Sequence, residues 1–91
     1  MEIRFEEEKQ RSAAYVEGKE IGESTYSNAA DLWIIDHTYV EKAYNGQGIA
    51  RKLVDTIVEN ARSKGIQLMA TCPYALKLFE TNPEYADVYK R

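Results

Sequence analysis

The sequence predicts an α/β fold: a mixed, mostly antiparallel sheet with one parallel strand pair, packed against two to three helices. Three observations carry this expectation. The first thirty or so residues hold short apolar–polar alternations broken by turn residues. Leu32–Val40 is a run dense in β-branched and aromatic side chains, and residues 49–61 carry an apolar stripe at helical spacing with a further short strand behind it. A strand–helix–strand unit of this length closes as a right-handed parallel crossover, whereas strands joined by tight turns pair antiparallel.

Ile3 and Phe5 alternate with Arg4 and Glu6, giving a half-buried first strand that fades into a charged turn at residues 7–11. Ala13, Tyr15 and Ile21 flank Glu17-Gly18-Lys19 as a hairpin, in which Gly18 supplies the turn conformation. Residues 21–26 form the second arm, and Ser27, Asn28, Ala29 and Ala30 read as the next turn. In Leu32–Val40 apolar groups fall at consecutive positions, which implies a strand covered on both faces and therefore central in the sheet. Ile49, Ala50, Leu53, Val54, Ile57, Val58 and Ala61 step by three and four, with Arg51, Lys52, Asp55, Thr56, Glu59 and Asn60 opposite them. Gly65 sits where a left-handed helix C-cap belongs. Residues 66–72 form a short strand, and Pro73 opens a helix over residues 74–80. Asn82-Pro83 breaks that helix, leaving a tail whose tyrosines pack back.

Composition narrows the function. The 91 residues, 44% hydrophobic and 30% charged, suit one globular domain spanning residues 1–91. No apolar run is long enough to cross a bilayer, and Glu2, Ile3 and Arg4 after Met1 do not begin a signal peptide. Twelve basic against fifteen acidic residues leave a net charge of −3, which argues against nucleic acid as a partner. The single cysteine, Cys72, cannot form an internal disulfide and suits a reducing cytoplasm. With one His and one Cys, a dedicated zinc or iron–sulfur site lacks ligands, so no metal is expected.

The decisive motif is Gly46-Gln47-Gly48-Ile49-Ala50, lodged between the apolar strand and the amphipathic helix. Its glycines let the backbone turn sharply, and the helix head adds unpaired N–H groups and the positive end of its dipole. Together these suit a phosphate or pyrophosphate. A Rossmann turn needs a third glycine where Ala50 and Arg51 stand, and a Walker loop needs Gly-Lys-Ser/Thr, which is absent. Arg51 and Lys52 oppose the usual acidic preference of a first helical turn; a polyanionic ligand would explain them, and so would solvated helix surface. Cys72 directly precedes Pro73, at the N-cap position where a thiolate is stabilised, although a lone cysteine is most often a small buried residue. Strand alternation sends Asp36 and His37 to opposite faces unless a bulge intervenes. Tyr74 reads first as a packing aromatic, and Glu6-Glu7-Glu8 as a solvated turn.

Taken together, these residues resemble the GNAT superfamily of N-acetyltransferases, in particular its short stand-alone members. The superfamily motif Gln/Arg-x-x-Gly-x-Gly/Ala is represented by Asn45-Gly46-Gln47-Gly48-Ile49-Ala50, with Asn45 replacing the usual longer side chain. Three further landmarks match in order: Asp36-His37-Thr38, Cys72-Pro73-Tyr74-Ala75 and Pro83-Glu84-Tyr85-Ala86-Asp87-Val88-Tyr89. The likeness covers most of residues 31–91 and, more loosely, the first three strands.

The resemblance implies a minimal GNAT fold whose parallel strand pair splays to admit coenzyme A. Pantetheine would pair with the backbone of Thr38, Tyr39 and Val40. The pyrophosphate would rest on the N–H groups from Gln47 to Arg51, within a cofactor segment comprising Asn45, Gly46, Gln47, Gly48, Ile49, Ala50, Arg51 and Lys52. It implies acetyl-CoA as co-substrate and transfer to an unidentified amine, a small molecule or a protein lysine or N-terminus. Cys72, His37 and Asp36 are then the catalytic candidates. Cys72 would either take the acetyl group, with His37 as its base, or shape the acyl pocket; in direct transfer His37 would deprotonate the acceptor. The chain is shorter than a typical GNAT enzyme, so its acceptor side is expected to be open, and a homodimer would rebuild the missing wall. The alternative is a module that binds CoA with little catalysis, as a sensor or interaction partner.

Overall fold

The computed structural model describes all 91 residues. Strands β1 (Glu2–Glu6), β2 (Arg11–Val16), β3 (Lys19–Ala29) and β4 (Leu32–Val40) form an antiparallel meander. Helix α1 (Ile49–Lys64) then crosses the sheet to β5 (Gln67–Ala70), which pairs with β4 in parallel, and α2 (Pro73–Thr81) follows. The strand order is β1-β2-β3-β4-β5. This is the mixed α/β architecture that the residue patterns predict.

Both helices pack on one face of the sheet. The apolar stripe of α1 supplies Val54 and Val58 to a cluster that also buries Trp33, Ile35, Leu68 and the α2 residue Phe79. Each such side chain contributes roughly 1.5–3 kcal/mol when withdrawn from water. A smaller cluster of Ala14, Ile21, Ile49 and Leu53 fixes the N-terminal half of α1 over β2 and β3. Ser12, Ser24 and Thr38 align across three neighbouring strands on this covered face, and the Ser12 hydroxyl donates to the Leu53 carbonyl at 2.6 Å. Gly65 ends α1 in the left-handed conformation with φ 68°. The tail returns as expected. Tyr85 and Val88 are buried, Tyr89 packs against Phe79, and Leu68 exchanges backbone hydrogen bonds with Val88 and Lys90 on the outer edge of β5.

Three local expectations change. Residues 27–29 extend β3 instead of turning, and the turn falls at Ala30 and Asp31. The polar side chains of Ser27 and Asn28 are tolerated in a strand because they lie exposed beside the ladder with Ile34 and Trp33. The strand before α1 has neighbours on both edges but a helical layer on one face only; Trp33 and Ile35 are buried while Asp36, His37 and Tyr39 are exposed. Its unbroken apolar run therefore reflects strand propensity as much as burial. Finally, the β3–β4 register passes from Thr25↔His37 to Tyr26↔Ile35, so Asp36 is an inserted bulge residue. Beyond it the alternation is inverted, and Asp36 and His37 both emerge on the helix-free face.

Gly22 makes the β4 end possible. A Cβ there would sit 2.8 Å from the Tyr39 carbonyl oxygen and 3.3 Å from the Val40 Cα, both main-chain atoms that cannot rotate away. We predict that Gly22→Ala costs about 1–3 kcal/mol, the range for an overpacked interior. Urea denaturation measures it; a midpoint equal to wild type would show that β4 shifts freely.

Candidate functional site

The chain leaves β4 through a short 3-10 turn at Lys42–Tyr44 and enters α1 through Gly46 and Gly48, both left-handed at φ 80° and 75°. An added Cβ at either glycine would meet nothing within 4 Å, so these positions favour glycine for backbone conformation, not for space. Gly48 caps α1 without any side-chain hydrogen bond, and the helix ladder begins only with the Lys52 N–H donating to the Gly48 carbonyl. In consequence, none of the six backbone N–H groups of residues 46–51 has an acceptor within the protein. Gly46, Gly48, Ile49 and Ala50 from this segment line a cavity of about 210 Å³, with Val40, Tyr44, Asn45 and Tyr74 completing its wall. Unpaired donors at a helix head carrying the dipole's positive end form an anion cradle.

The cavity reaches Val40, the last residue of an unpaired stretch of β4. Pairing with β5 ends at Ile35↔Ala70, where the Thr71 and Cys72 N–H groups both donate to the Ile35 carbonyl. Residues 36–40 continue on the β3 side only, so their other backbone edge is free. An extended ligand with amide groups can add to such an edge as a strand would.

The candidate reactive groups divide between the two faces of β4. Cys72 is the N-cap of α2 and only 5% exposed; its thiol donates to Thr38 Oγ1 at 3.5 Å, on the covered face. Thr38 Oγ1 also lies 3.0 Å from Ser24 Oγ. On the open face Asp36 accepts hydrogen bonds from Thr25 at 2.5 Å and Ser27 at 2.8 Å. His37 is exposed there, with Nε2 4.0 Å from Glu23 Oε2. Beside it Arg11 gathers Glu6, Glu20 and Glu23 at 2.7–3.0 Å. The structure thus brings Asp36 and His37 together and separates both from Cys72.

The family model described as GCN5-related N-acetyl-transferase matches residues 11–88. The chain belongs to the GCN5-related N-acetyltransferase family. The solved structures most like this acetyltransferase include a GCN5-like candidate N-acetyltransferase from Staphylococcus aureus. It is 31% identical, with a TM-score of 0.78 over 98% of this chain and 87% of that one. A ribosomal-protein-alanine N-acetyltransferase from Brucella melitensis biovar Abortus 2308 shares the fold at 24% identity and TM-score 0.68, over 79% of this chain and 59% of that one. N-acetylglutamate synthase from Neisseria gonorrhoeae, solved with coenzyme A and N-acetyl-glutamate, aligns at 25% identity and TM-score 0.61, over 67% and 15%. This acetyltransferase therefore spans 59% and 15% of those two larger chains. No curated protein sequence matches it.

Two further residues line this cavity. Tyr44, which sequence reasoning passed over, forms part of its wall; its place two residues before the Gly-x-Gly step was the available signal. Tyr74, read as a packing aromatic, is instead 41% exposed and lines the cavity, with burial of the rest of its ring pushing the phenol pKa up. Arg51 does not reach freely over the turn: it pairs with Glu84 at 2.9 Å and lies over the Tyr85 ring. Lys52 is exposed and has no ionic partner. No helix is long and apolar enough to cross a membrane.

The open face carries a pH signature. The Tyr15 phenol donates to Glu6 at 2.5 Å and, with Arg11, holds the Glu6 carboxyl below its ordinary 4.5 against the opposing effect of burial. A depressed folded-state pKa adds stability that is present above 4.5 and lost as pH falls through the folded value. We predict that Glu6→Gln lowers the melting temperature at pH 7, and that the gap from wild type narrows as the pH falls below 4.5. A gap that stays constant across that range would contradict the assignment.

Proposed function

We propose that this chain is an acetyl-CoA-dependent N-acetyltransferase that places the cofactor diphosphate on the N–H groups of residues 46–51. The observation that carries the reading is this row of unpaired donors opening onto the free edge of β4. A diphosphate meets the donors, and the two amides of a pantetheine arm suit the backbone of Thr38, Tyr39 and Val40. Asn45, Ile49 and Ala50 complete the wall, and Lys52 adds an unpaired positive charge nearby. Of the solved relatives, the synthase from Neisseria gonorrhoeae carries coenzyme A.

In this reading the thioester lies where β4 and β5 part, beside Ile35 and Cys72. Transfer is direct. The acceptor amine attacks the thioester carbonyl, its proton passes to a base, and the CoA thiolate leaves. His37 is the base, because an imidazole nitrogen can accept a proton from an amine and the bulge turns this side chain toward the open face from which an amine arrives. Asp36, fixed by Thr25 and Ser27, holds the bulge in shape. Cys72 shapes the acyl pocket and does not attack, since its thiol is spent on Thr38 and His37 lies across the strand.

Calorimetry with CoA, acetyl-CoA, ATP and NAD tests the ligand class. We predict binding of the two CoA species alone, followed by thiol release from acetyl-CoA when polyamines, amino acids and lysine peptides are screened. Binding of ATP or NAD in place of CoA overturns the reading, whereas CoA binding without release across the panel supports a binding module. A separate expectation concerns the cysteine. Cys72→Ala retains turnover within about tenfold of wild type, while His37→Ala loses the roughly 10²–10⁴-fold that a general base provides. Abolished turnover in Cys72→Ala, with CoA affinity intact, would restore the acyl-cysteine route.

A further inference from the structure

A cation in the first turn of α1, Arg51, is held by the C-terminal segment. Arg51 is the third residue of α1, and side chains in a helix lean toward its N-terminus, here toward the turn. Its charge is felt at Tyr74, where burial raises the phenol pKa and Arg51 pulls it back; Tyr74 also lines the cavity. Yet the guanidinium is engaged elsewhere: Nη2 donates to Glu84 Oε1 at 2.9 Å, Nε lies 3.7 Å from Asp55, and the group sits 5.8 Å above the Tyr85 ring.

The two partners on the tail differ in firmness. Tyr85 is 2% exposed, donates to Asp55 at 2.6 Å and packs against Phe79, so it cannot follow a moving arginine. Glu84 beside it is 61% exposed, and the tail does not depend on it, because Arg62 separately clasps Asp87 and the Glu84 carbonyl at 2.7–3.2 Å. An exposed ion pair contributes little in water and is easily exchanged for a ligand of higher charge. A phosphate accepts the guanidinium through two parallel bonds, which is a stronger arrangement than the single contact with Glu84.

Building on the cofactor site proposed above, we propose that Glu84 is a built-in competitor for the cofactor phosphates. It holds Arg51 in the free protein and yields it when CoA binds, so Glu84 lowers CoA affinity through Arg51. The carboxylate tunes how readily the product, CoA, leaves, without touching the reacting atoms. The tail itself remains in place, anchored by Tyr85 and Arg62.

A double-mutant cycle read by calorimetry tests this. Glu84→Gln removes the charge and keeps the shape of an exposed side chain, and the expected result is CoA binding about three- to fivefold tighter. Arg51→Gln weakens binding, and adding Glu84→Gln to it changes nothing further. Raising the salt from 50 mM to 500 mM should shrink the Glu84→Gln effect, as screening of exposed charges requires. An unchanged dissociation constant in Glu84→Gln overturns the proposal. So does equal tightening with and without Arg51, which would mean a diffuse field effect. Wild-type protein that does not bind CoA overturns the cofactor reading itself, a different result from either.

Discussion

The connection from β4 to α1 depends on two backbone conformations that an L side chain rarely adopts. Gly46 and Gly48 at φ 80° and 75° turn the chain so that the head of α1 faces the end of the strand it has just left. A conventional capping residue would have satisfied one or two of the helix's free N–H groups internally. Glycine satisfies none, and every donor from residue 46 to residue 51 stays available. The apolar stripe of α1 then anchors this arrangement: Ile49 and Leu53 are buried over Ala14 and Ile21, so the helix head cannot swing away from the sheet.

The second constraint is the inserted residue at Asp36. Without it, His37 would lie on the covered face among Trp33 and Ile35, where its ring nitrogens would lose contact with water. The insertion instead sets Asp36 and His37 side by side on the open face and leaves Thr38 and Cys72 on the covered one. Gly22 completes the geometry by letting β3 approach the carbonyl of Tyr39. Parting of β4 from β5 therefore follows from local features: β5 ends at Ala70, Pro73 starts α2, and the Ile35 carbonyl takes the last two N–H groups.

Much of this was legible from residue patterns because it depends on local rules. The stripe from Ile49 to Ala61, the cap at Gly65 and the start of α2 at Pro73 each follow from helix geometry and appear where they are expected. The glycine pair located the helix head for the same reason. What was not legible depends on neighbours. The bulge at Asp36 is a register shift between two strands, and no single segment encodes it. The open face could not be inferred from Leu32–Val40, since a strand with one bare face and a strand with none share the same β-branched composition. Tyr44 and Tyr74 became cavity walls only once α2 and the turn were placed together. The Arg51–Glu84 pair joins residues 33 apart in sequence, and the charge pattern of α1 alone gives no hint of it.

The central claim is that the donors at the head of α1 and the free edge of β4 receive one ligand. Amide proton and nitrogen chemical shifts, followed residue by residue as CoA is added, test it most directly. The account predicts a contiguous perturbation of residues 46–51 together with residues 38–40, while the Arg11, Glu20 and Glu23 side of the sheet stays still. Shifts confined to that acidic face, with the glycine turn unmoved at saturating CoA, would contradict it.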